Sequence, residues 1–197
     1  MPAEQRQKQL LGVARKLFLK KGYRGTTVEE IVRKAHLTKG AFYYHFNSKE
    51  DILLAIFKET SERFYRAFEA VSKPGARPND FLMTLLSIHK ASNLAESRNM
   101  VDIWTQGTRI PKIHRYLEKR HQQGIEMFTD CLDRSYGRTR KERRELAIFT
   151  FSFYEGLAVR KARWPKVVDI ESQLKLFSRL VETLRQGETA KGKSHHN

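Results

Sequence analysis

Cysteine is almost absent: Cys131 stands alone among 197 residues. That excludes an intrachain disulfide and a cysteine-based zinc site, and it suits a reducing cytoplasm. Proline and glycine are sparse, at 5 and 11 residues, so few positions break a helix. No run approaches the roughly 18 apolar residues of a membrane span. The stretch from Met1 to Leu10 is polar, without the apolar core of an export signal. A soluble protein that is neither exported nor membrane-bound is therefore expected. Acidic side chains are also short, 22 against 38 basic, for a formal charge of +16. Signatures of catalysis are missing as well. There is no glycine-rich phosphate loop, no nucleophile elbow and no HExxH metal motif. His114 and His121 share a helical face, but a third metal ligand is not in view. The expectation is no enzyme, no cofactor and no metal.

What is present favours helix. Apolar and aromatic residues make up 40% of the chain, enough for a real core. The basic excess calls for a polyanionic partner, nucleic acid or an anionic membrane surface, and the motifs must choose between them. Residues 1–49 hold eleven Lys/Arg and three Glu. Apolar spacing places a first helix from about Glu4 to Lys21, stopped by Gly22 in a left-handed conformation. Thr26 and Thr27, three residues before Glu29 and Glu30, open a second helix. After a corner at His36 and Leu37, Thr38 caps a third, Lys39 to His45. Ser48, with Asp51, opens a long fourth helix whose buried side is Ile52, Leu53, Ile56, Phe57, Phe64 and Phe68.

The linker KPGARP (73–78) follows. A fifth helix capped by Asn79 or Asp80 runs from Phe81 to about Ala95, and a sixth from Arg98 to Gln106. A seventh spans Lys112 to Tyr136, an eighth Arg140 to Ala162 and a ninth Ile170 to Gln186. Residues 188–197 have nothing to bury and are expected to form a mobile tail. The fold class is all-α.

Two short helices joined by a tight corner, the second carrying small, basic and aromatic polar residues, make the arrangement that reads a DNA major groove. That second helix is TKGAFYYHF (38–46). Phe42 and Phe46 share a face and are expected to pack on Val28, Ile31 and Leu37. Lys39, Gly40, Tyr43 and Tyr44 then point outward. Gly40 and Ala41 lack bulk, so the backbone can sit deep in a groove. Lys39 can donate to guanine O6 and N7. Tyr43, Tyr44 and His45 can donate to phosphates, and the free amides near Thr26, Thr27 and Lys49 suit phosphates too. The plain alternative makes Tyr43 and Tyr44 ordinary packing aromatics.

Residues 24–57, RGTTVEEIVRKAHLTKGAFYYHFNSKEDILLAIF, resemble the signature of the tetracycline-repressor (TetR) family, as does the preceding FLKKGY (18–23). The resemblance covers about a quarter of the chain strongly, and the rest in length and helix number. His36 departs from the pattern, where relatives carry Gly. Histidine tolerates a left-handed backbone better than most residues. The resemblance implies a nine-helix fold. Residues 1–48 would be the DNA-binding domain and 49–187 the ligand-binding and dimerisation domain, with 49–72 as connector. It also implies DNA contacts at Thr26, Thr27, Thr38, Lys39, Gly40, Tyr43, Tyr44, His45 and Lys49. The implied function is a repressor that leaves a palindromic operator when a small-molecule effector binds.

Helices eight and nine carry apolar residues on more than one face, which suits a domain core on one side and a second copy on the other. The resemblance places the homodimer contact there. Candidate pocket residues are Leu86, His89, Met100, Trp104, Phe128, Phe153 and Tyr154, each of which also reads as plain core. Glu155 and Asp102 stand inside apolar stretches. Each either orients a cationic or hydroxylated ligand, or faces solvent or pairs with a nearby arginine. The basic run 138–144 is a solvated loop and helix start, or a site for the phosphates of an acyl-CoA-like effector. Two other functions share these features: a TetR-like activator, and a charge-driven DNA binder without sequence preference.

Overall fold

A computed structural model of the chain describes residues 2–90, 103–137 and 139–193, without the side chains of residues 85, 86, 88–90, 184 and 187–193. Among the described residues the protein is all-α. The helices are α1 (Ala3–Lys21), α2 (Val28–Lys34), α3 (Lys39–His45), α4 (Lys49–Val71) and α5 (Pro78–Lys90). They continue with α6 (103–107), α7 (Pro111–Cys131), α8 (Arg140–Arg163) and α9 (Ile170–Lys193). None of the described helices is long and apolar enough to cross a membrane.

Packing divides the chain into two compact units. One is Met1–Arg63 with Leu94–Lys119, the other Phe64–Asn93 with Arg120–Asn197. Helices α4 and α7 therefore contribute to both. The split falls later than residue 48, where the motif ends. The first core is closed by Ile52, Leu53, Ile56 and Phe57 of α4 and Ile113 of α7, together with Leu10, Ala14, Phe18, Ile31, Phe42 and Phe46.

In the first unit, local chemistry sets each helix end. Gly22 has φ 76°, and its amide donates to the Phe18 carbonyl at 2.9 Å. Thr27 caps α2 by accepting from the Glu30 amide, and Thr38 caps α3 by accepting from the Ala41 amide. Such a cap is worth about 1 kcal/mol. Ser48 accepts from the Asp51 amide at 3.1 Å and donates back to its carboxylate at 3.0 Å.

The corner between α2 and α3 explains His36. Its amide donates to the Arg33 carbonyl at 3.2 Å, and the Leu37 amide donates to the Val32 carbonyl at 2.9 Å. That pair of bonds is a Schellman stop, whose pivot residue must be left-handed. His36 is that residue, at φ 50°. Its side chain is exposed, so backbone conformation alone governs substitution there. His36→Gly is expected to leave the unfolding midpoint unchanged or raise stability by up to ~1 kcal/mol. His36→Val is expected to cost ~1–2 kcal/mol, since a β-branched residue resists a left-handed backbone. Denaturant melts of the two variants check this. A valine variant as stable as the parent would contradict the left-handed assignment.

The second unit has its own core, formed by Phe68, Phe81, Leu82, Phe128, Phe151, Leu157, Leu174 and Phe177. Three helix ends differ from expectation. Helix α5 starts at Pro78, not after Asn79 or Asp80. Proline suits the first helical position because its missing N–H is not needed there. Asp80 reaches back to accept from the Arg77 amide at 3.0 Å.

Helix α7 stops at Cys131 rather than Tyr136. The Cys131 carbonyl accepts from the Gly75 and Ala76 amides at 3.1 and 3.0 Å, and the Asp133 amide donates to Ala76. The linker thus takes the bonds that would have prolonged the helix. Asp133 then caps a short 3-10 turn, Arg134–Tyr136. Helix α9 runs on to Lys193, where a mobile tail was expected. Extending an existing helix needs no new nucleus, and residues 187–193 contain no proline. The rest of that expected tail, residues 194–197, lies outside the described residues.

Candidate nucleic-acid interface

Helix α3 is held from behind and open in front. Phe42 is fully buried and Phe46 nearly so, packed in one cluster with Ile31, Val28 and Leu37 as the sequence spacing predicts. The two rings lie 5.7 Å apart. On the opposite side Tyr44 is 77% and Tyr43 52% exposed. Thr38, Lys39 and Gly40 are exposed beside them. Each tyrosine touches one neighbouring ring, Tyr43 that of Phe42 and Tyr44 that of His45, and leaves the rest of its surface open to a partner.

Gly40 points the same way. A Cβ built there would meet nothing but the Thr38 hydroxyl, at 3.7 Å. Glycine costs a helix interior about 1 kcal/mol relative to alanine, and the protein's own packing has room for the methyl. The absence of bulk leaves the helix backbone open to an approach from outside.

The remaining expected contacts fall into two groups. Thr27 is exposed at the start of α2. His45 is half-buried with its ring edge-on to Tyr44 at 4.8 Å. Thr26 and Lys49 turn inward. Thr26 is fully buried, and its hydroxyl donates to the Gly22 carbonyl at 2.9 Å. The Lys49 ammonium donates to the carbonyls of Tyr23 and Thr26 at 2.9 and 2.8 Å, and lies 4.3 Å from the Tyr23 ring centre. Burial holds its pKa below the ordinary lysine value. Both residues brace the end of the α1–α2 connection, so a phosphate would meet the surface they shape rather than their polar atoms.

Two features of this unit have no signature in the sequence. Lys39 pairs with Glu29 of α2 at 2.5 Å, both side chains exposed. Lys112 of α7 donates to Asp51 at 2.6 Å and to the Ser48 hydroxyl at 3.3 Å, tying α7 to the start of α4. The Lys112 ammonium holds the Asp51 carboxyl below its usual range. No spacing rule reaches across the intervening residues. Lys20, Arg24, Arg33 and Lys34 are exposed and add positive charge to this unit.

Of the candidate pocket residues, Phe128, Phe153 and Tyr154 lie in one cluster of the second unit. Met100 and Asp102 lie outside the described residues, as do the side chains of Leu86 and His89. Trp104 is exposed and belongs to the first unit. Phe128 is plain core, its ring centre 3.7 Å from that of Phe81. Phe153 stacks on Phe177 at 4.6 Å. Tyr154 is half-buried, and desolvation pushes its hydroxyl up to about 12. Beside it in sequence, Glu155 faces His121 at 3.8 Å, and burial raises its carboxyl above the ordinary value.

In the basic run, Arg138 lies outside the described residues. Arg140 pairs with Glu126 and Asp130, Arg144 pairs with Glu126, and Arg143 donates to the Gly137 carbonyl. With these arginines engaged by α7 carboxylates and backbone, nothing favours an acyl-coenzyme A phosphate there. Among the described residues, no group of three or more His, Cys, Asp or Glu side chains is placed to hold a metal.

A second surface stands out in the second unit. Helices α8 and α9 line a groove with Phe149, Phe153, Leu176, Phe177, Leu180 and Val181. Phe149 and Leu180 are each 57% exposed. An apolar face of this kind is a hallmark of association.

The family model described as "Bacterial regulatory proteins, tetR family" matches residues 10–56, which contain α2, α3 and their corner. The chain is 27% identical over 121 residues to the HTH-type transcriptional regulator QacR of Staphylococcus aureus, covering 60% of this chain and 64% of that protein. It is 25% identical over 138 residues to the HTH-type transcriptional regulator YuxN of Bacillus subtilis, covering 68% and 47%. The matches thus span about half to two-thirds of the curated relatives' length.

Among solved structures, a putative transcriptional regulator from Pseudomonas aeruginosa PAO1 superposes with a TM-score of 0.79 at 16% identity, covering 97% of this chain and 95% of that one. A putative transcriptional regulator from Saccharomonospora viridis in complex with choline gives 0.69 at 18%, covering 91% and 96%. At these identities the likeness establishes the fold.

Proposed function

The chain belongs to the TetR family of bacterial regulatory proteins, and from that premise we propose that it is a homodimeric, ligand-released repressor of a palindromic operator. A member of this family is a transcriptional regulator with a DNA-binding domain, not an enzyme. The observation that carries the reading is the outer face of α3. Lysine, glycine and two tyrosines stand in solvent there, while two phenylalanines anchor the helix from behind. Thr27, Thr38, Tyr43, Tyr44 and His45 would hold phosphates, and Lys39 would read a base edge. The domain doing this is residues 1–48.

The groove on α8 and α9 supports a second copy as its occupant. A two-fold pair would set two reading helices about 34–36 Å apart, one turn of DNA. The effector site belongs in the second unit. There Glu155, half-buried and beside Tyr154 and His121, offers a carboxylate to a small cationic or hydroxylated molecule. The choline complex of the Saccharomonospora regulator is a precedent for that ligand class on this fold. Because α4 and α7 run through both units, an effector that prefers one arrangement of these helices would shift the population between DNA-binding and free forms. The site of action would be the cytoplasm.

Selection of duplexes from random sequence by the full-length protein tests this function. A palindrome with half-sites one turn apart is the expected product. Enrichment without a consensus, together with a steep salt dependence on every duplex, would point to charge-driven binding and overturn the reading. Gly40→Ala sharpens the test by separating two effects. It is expected to stabilise the fold by ~0.5–1 kcal/mol, while weakening binding to the selected palindrome by roughly tenfold, since the added methyl stands where the groove floor would lie. Thermal melts and gel-shift titrations report the two signs.

A further inference from the structure

The pairing of Lys39 with Glu29 places a carboxylate on the surface that would face DNA. A carboxylate beside phosphates is repelled. In the first turn of α2 this one suits the positive helix end and is hydrogen-bonded by its own amide and the Thr27 hydroxyl, but neither role calls for a lysine of α3. The Thr27 cap accepts from the Glu30 amide. Glu30 is engaged by Lys21. Glu29 is turned instead towards the lysine of the reading helix, 2.5 Å away, with both side chains more than half exposed.

We propose that Glu29 is a positioning residue that directs Lys39 towards base edges and keeps it from sequence-independent phosphate contact, so that the pair sets the preference for operator over other DNA. The proposal rests on the operator-binding function argued above. A lysine ammonium has three N–H donors. One directed at Glu29 leaves two, and guanine offers two acceptors, O6 and N7, in the major groove. The long, flexible lysine stem would otherwise swing to whichever phosphate is nearest, and a phosphate contact carries no sequence information. A lysine whose charge is already balanced also releases fewer counterions on random DNA. In a chain with a formal charge of +16, non-specific binding is the main competitor of the operator, and a local carboxylate suppresses it.

The test uses the full-length protein, the palindrome selected by the parent protein, and a random duplex of the same length. Glu29→Gln keeps the shape and removes the charge. It is expected to raise affinity for the random duplex and to steepen that duplex's log–log salt dependence by about 0.9, the value for one additional phosphate neutralised. Operator affinity should change by less than about twofold, since the lysine freed from Glu29 loses direction to the base edge but gains phosphate attraction, so the operator-to-random ratio falls roughly five- to tenfold, within the range a base contact supplies. Glu171→Gln, which removes the same charge from α9, should leave the ratio as it was.

The deciding measurement is the double variant with Lys39→Ala. If Glu29 acts through Lys39, Glu29→Gln has no further effect on the ratio once the lysine is gone. Three results overturn the proposal: an unchanged ratio in Glu29→Gln, an equal shift in the Lys39→Ala background, or a loss confined to the operator. The last would make Glu29 itself a base reader. Failure to select any palindrome would instead strike the operator-binding function, so the two failures are distinguishable.

Discussion

Leu180→Glu is expected to give a folded monomer whose affinity for the operator is lower by a factor of about 10² to 10⁴. The side chain is 57% exposed on the groove of α8 and α9, so the substitution costs the isolated subunit little. In a two-fold pair the same residue is buried from both sides. Each dimer would then carry two unpaired carboxylates in an apolar contact, a cost of several kcal/mol. Helix α3 is untouched, yet in the proposed dimer it would bind as one of two linked heads. Losing the link removes the effective concentration that joins the half-sites, which is the source of the expected factor. Sedimentation should report one chain of 23.1 kDa in the variant and two in the parent. Leu180→Ala, which removes apolar area without adding charge, should fall between them. A variant that stays dimeric, or a monomer that binds the palindrome as tightly as the parent, would rule out this face as the contact.

Phe42→Ala is expected to abolish operator binding from inside the first unit. The ring is fully buried, 5.4 Å from Tyr43 and 5.7 Å from Phe46, within a cluster that joins α1, α2, α3 and α4. Truncating such a phenylalanine costs about 3–5 kcal/mol. Helix α3 has seven residues, far fewer than an isolated helix needs to persist in water. It exists because Phe42 and Phe46 bind it to the rest of the unit. The expected result is loss of amide-exchange protection across residues 39–45, together with loss of binding to every duplex. The proposed dimer contact on α8 and α9, in a unit with its own core, should survive in sedimentation. Phe42→Leu should lose less stability and keep measurable binding. Full protection of α3 in the alanine variant would show that other contacts hold the helix.

Legibility followed the range of the interactions. The caps at Thr27 and Thr38 were readable because donor and acceptor lie within three residues of each other. The Phe42–Phe46 face was readable because helical spacing repeats over one turn. The left-handed pivot at His36 was readable as a departure from glycine at a corner. Thr26 and Lys49 were not. The Thr26 hydroxyl turns to Gly22, and the Lys49 ammonium turns to carbonyls more than twenty residues away. Whether a polar side chain faces water or braces a neighbouring helix depends on packing, and local pattern does not report it. The same holds for the end of α7, set by the linker's amides at Cys131. It holds too for Phe128 and Phe153, which fitted a pocket pattern although plain core is the commoner reading of such residues.

By itself, the amino-acid sequence determined that the chain is helical, where most of its helices begin, and which short helix carries an outer face of lysine, glycine and two tyrosines. Those outcomes rest on backbone conformation, capping and spacing, which act over one or two turns. Tertiary structure alone decided which basic residues are engaged inside the protein, that Lys39 is paired with Glu29, and that α8 and α9 leave a shared apolar groove uncovered. These depend on side chains brought together from distant positions, where burial and charge pairing are properties of the folded surface and of no single stretch of chain.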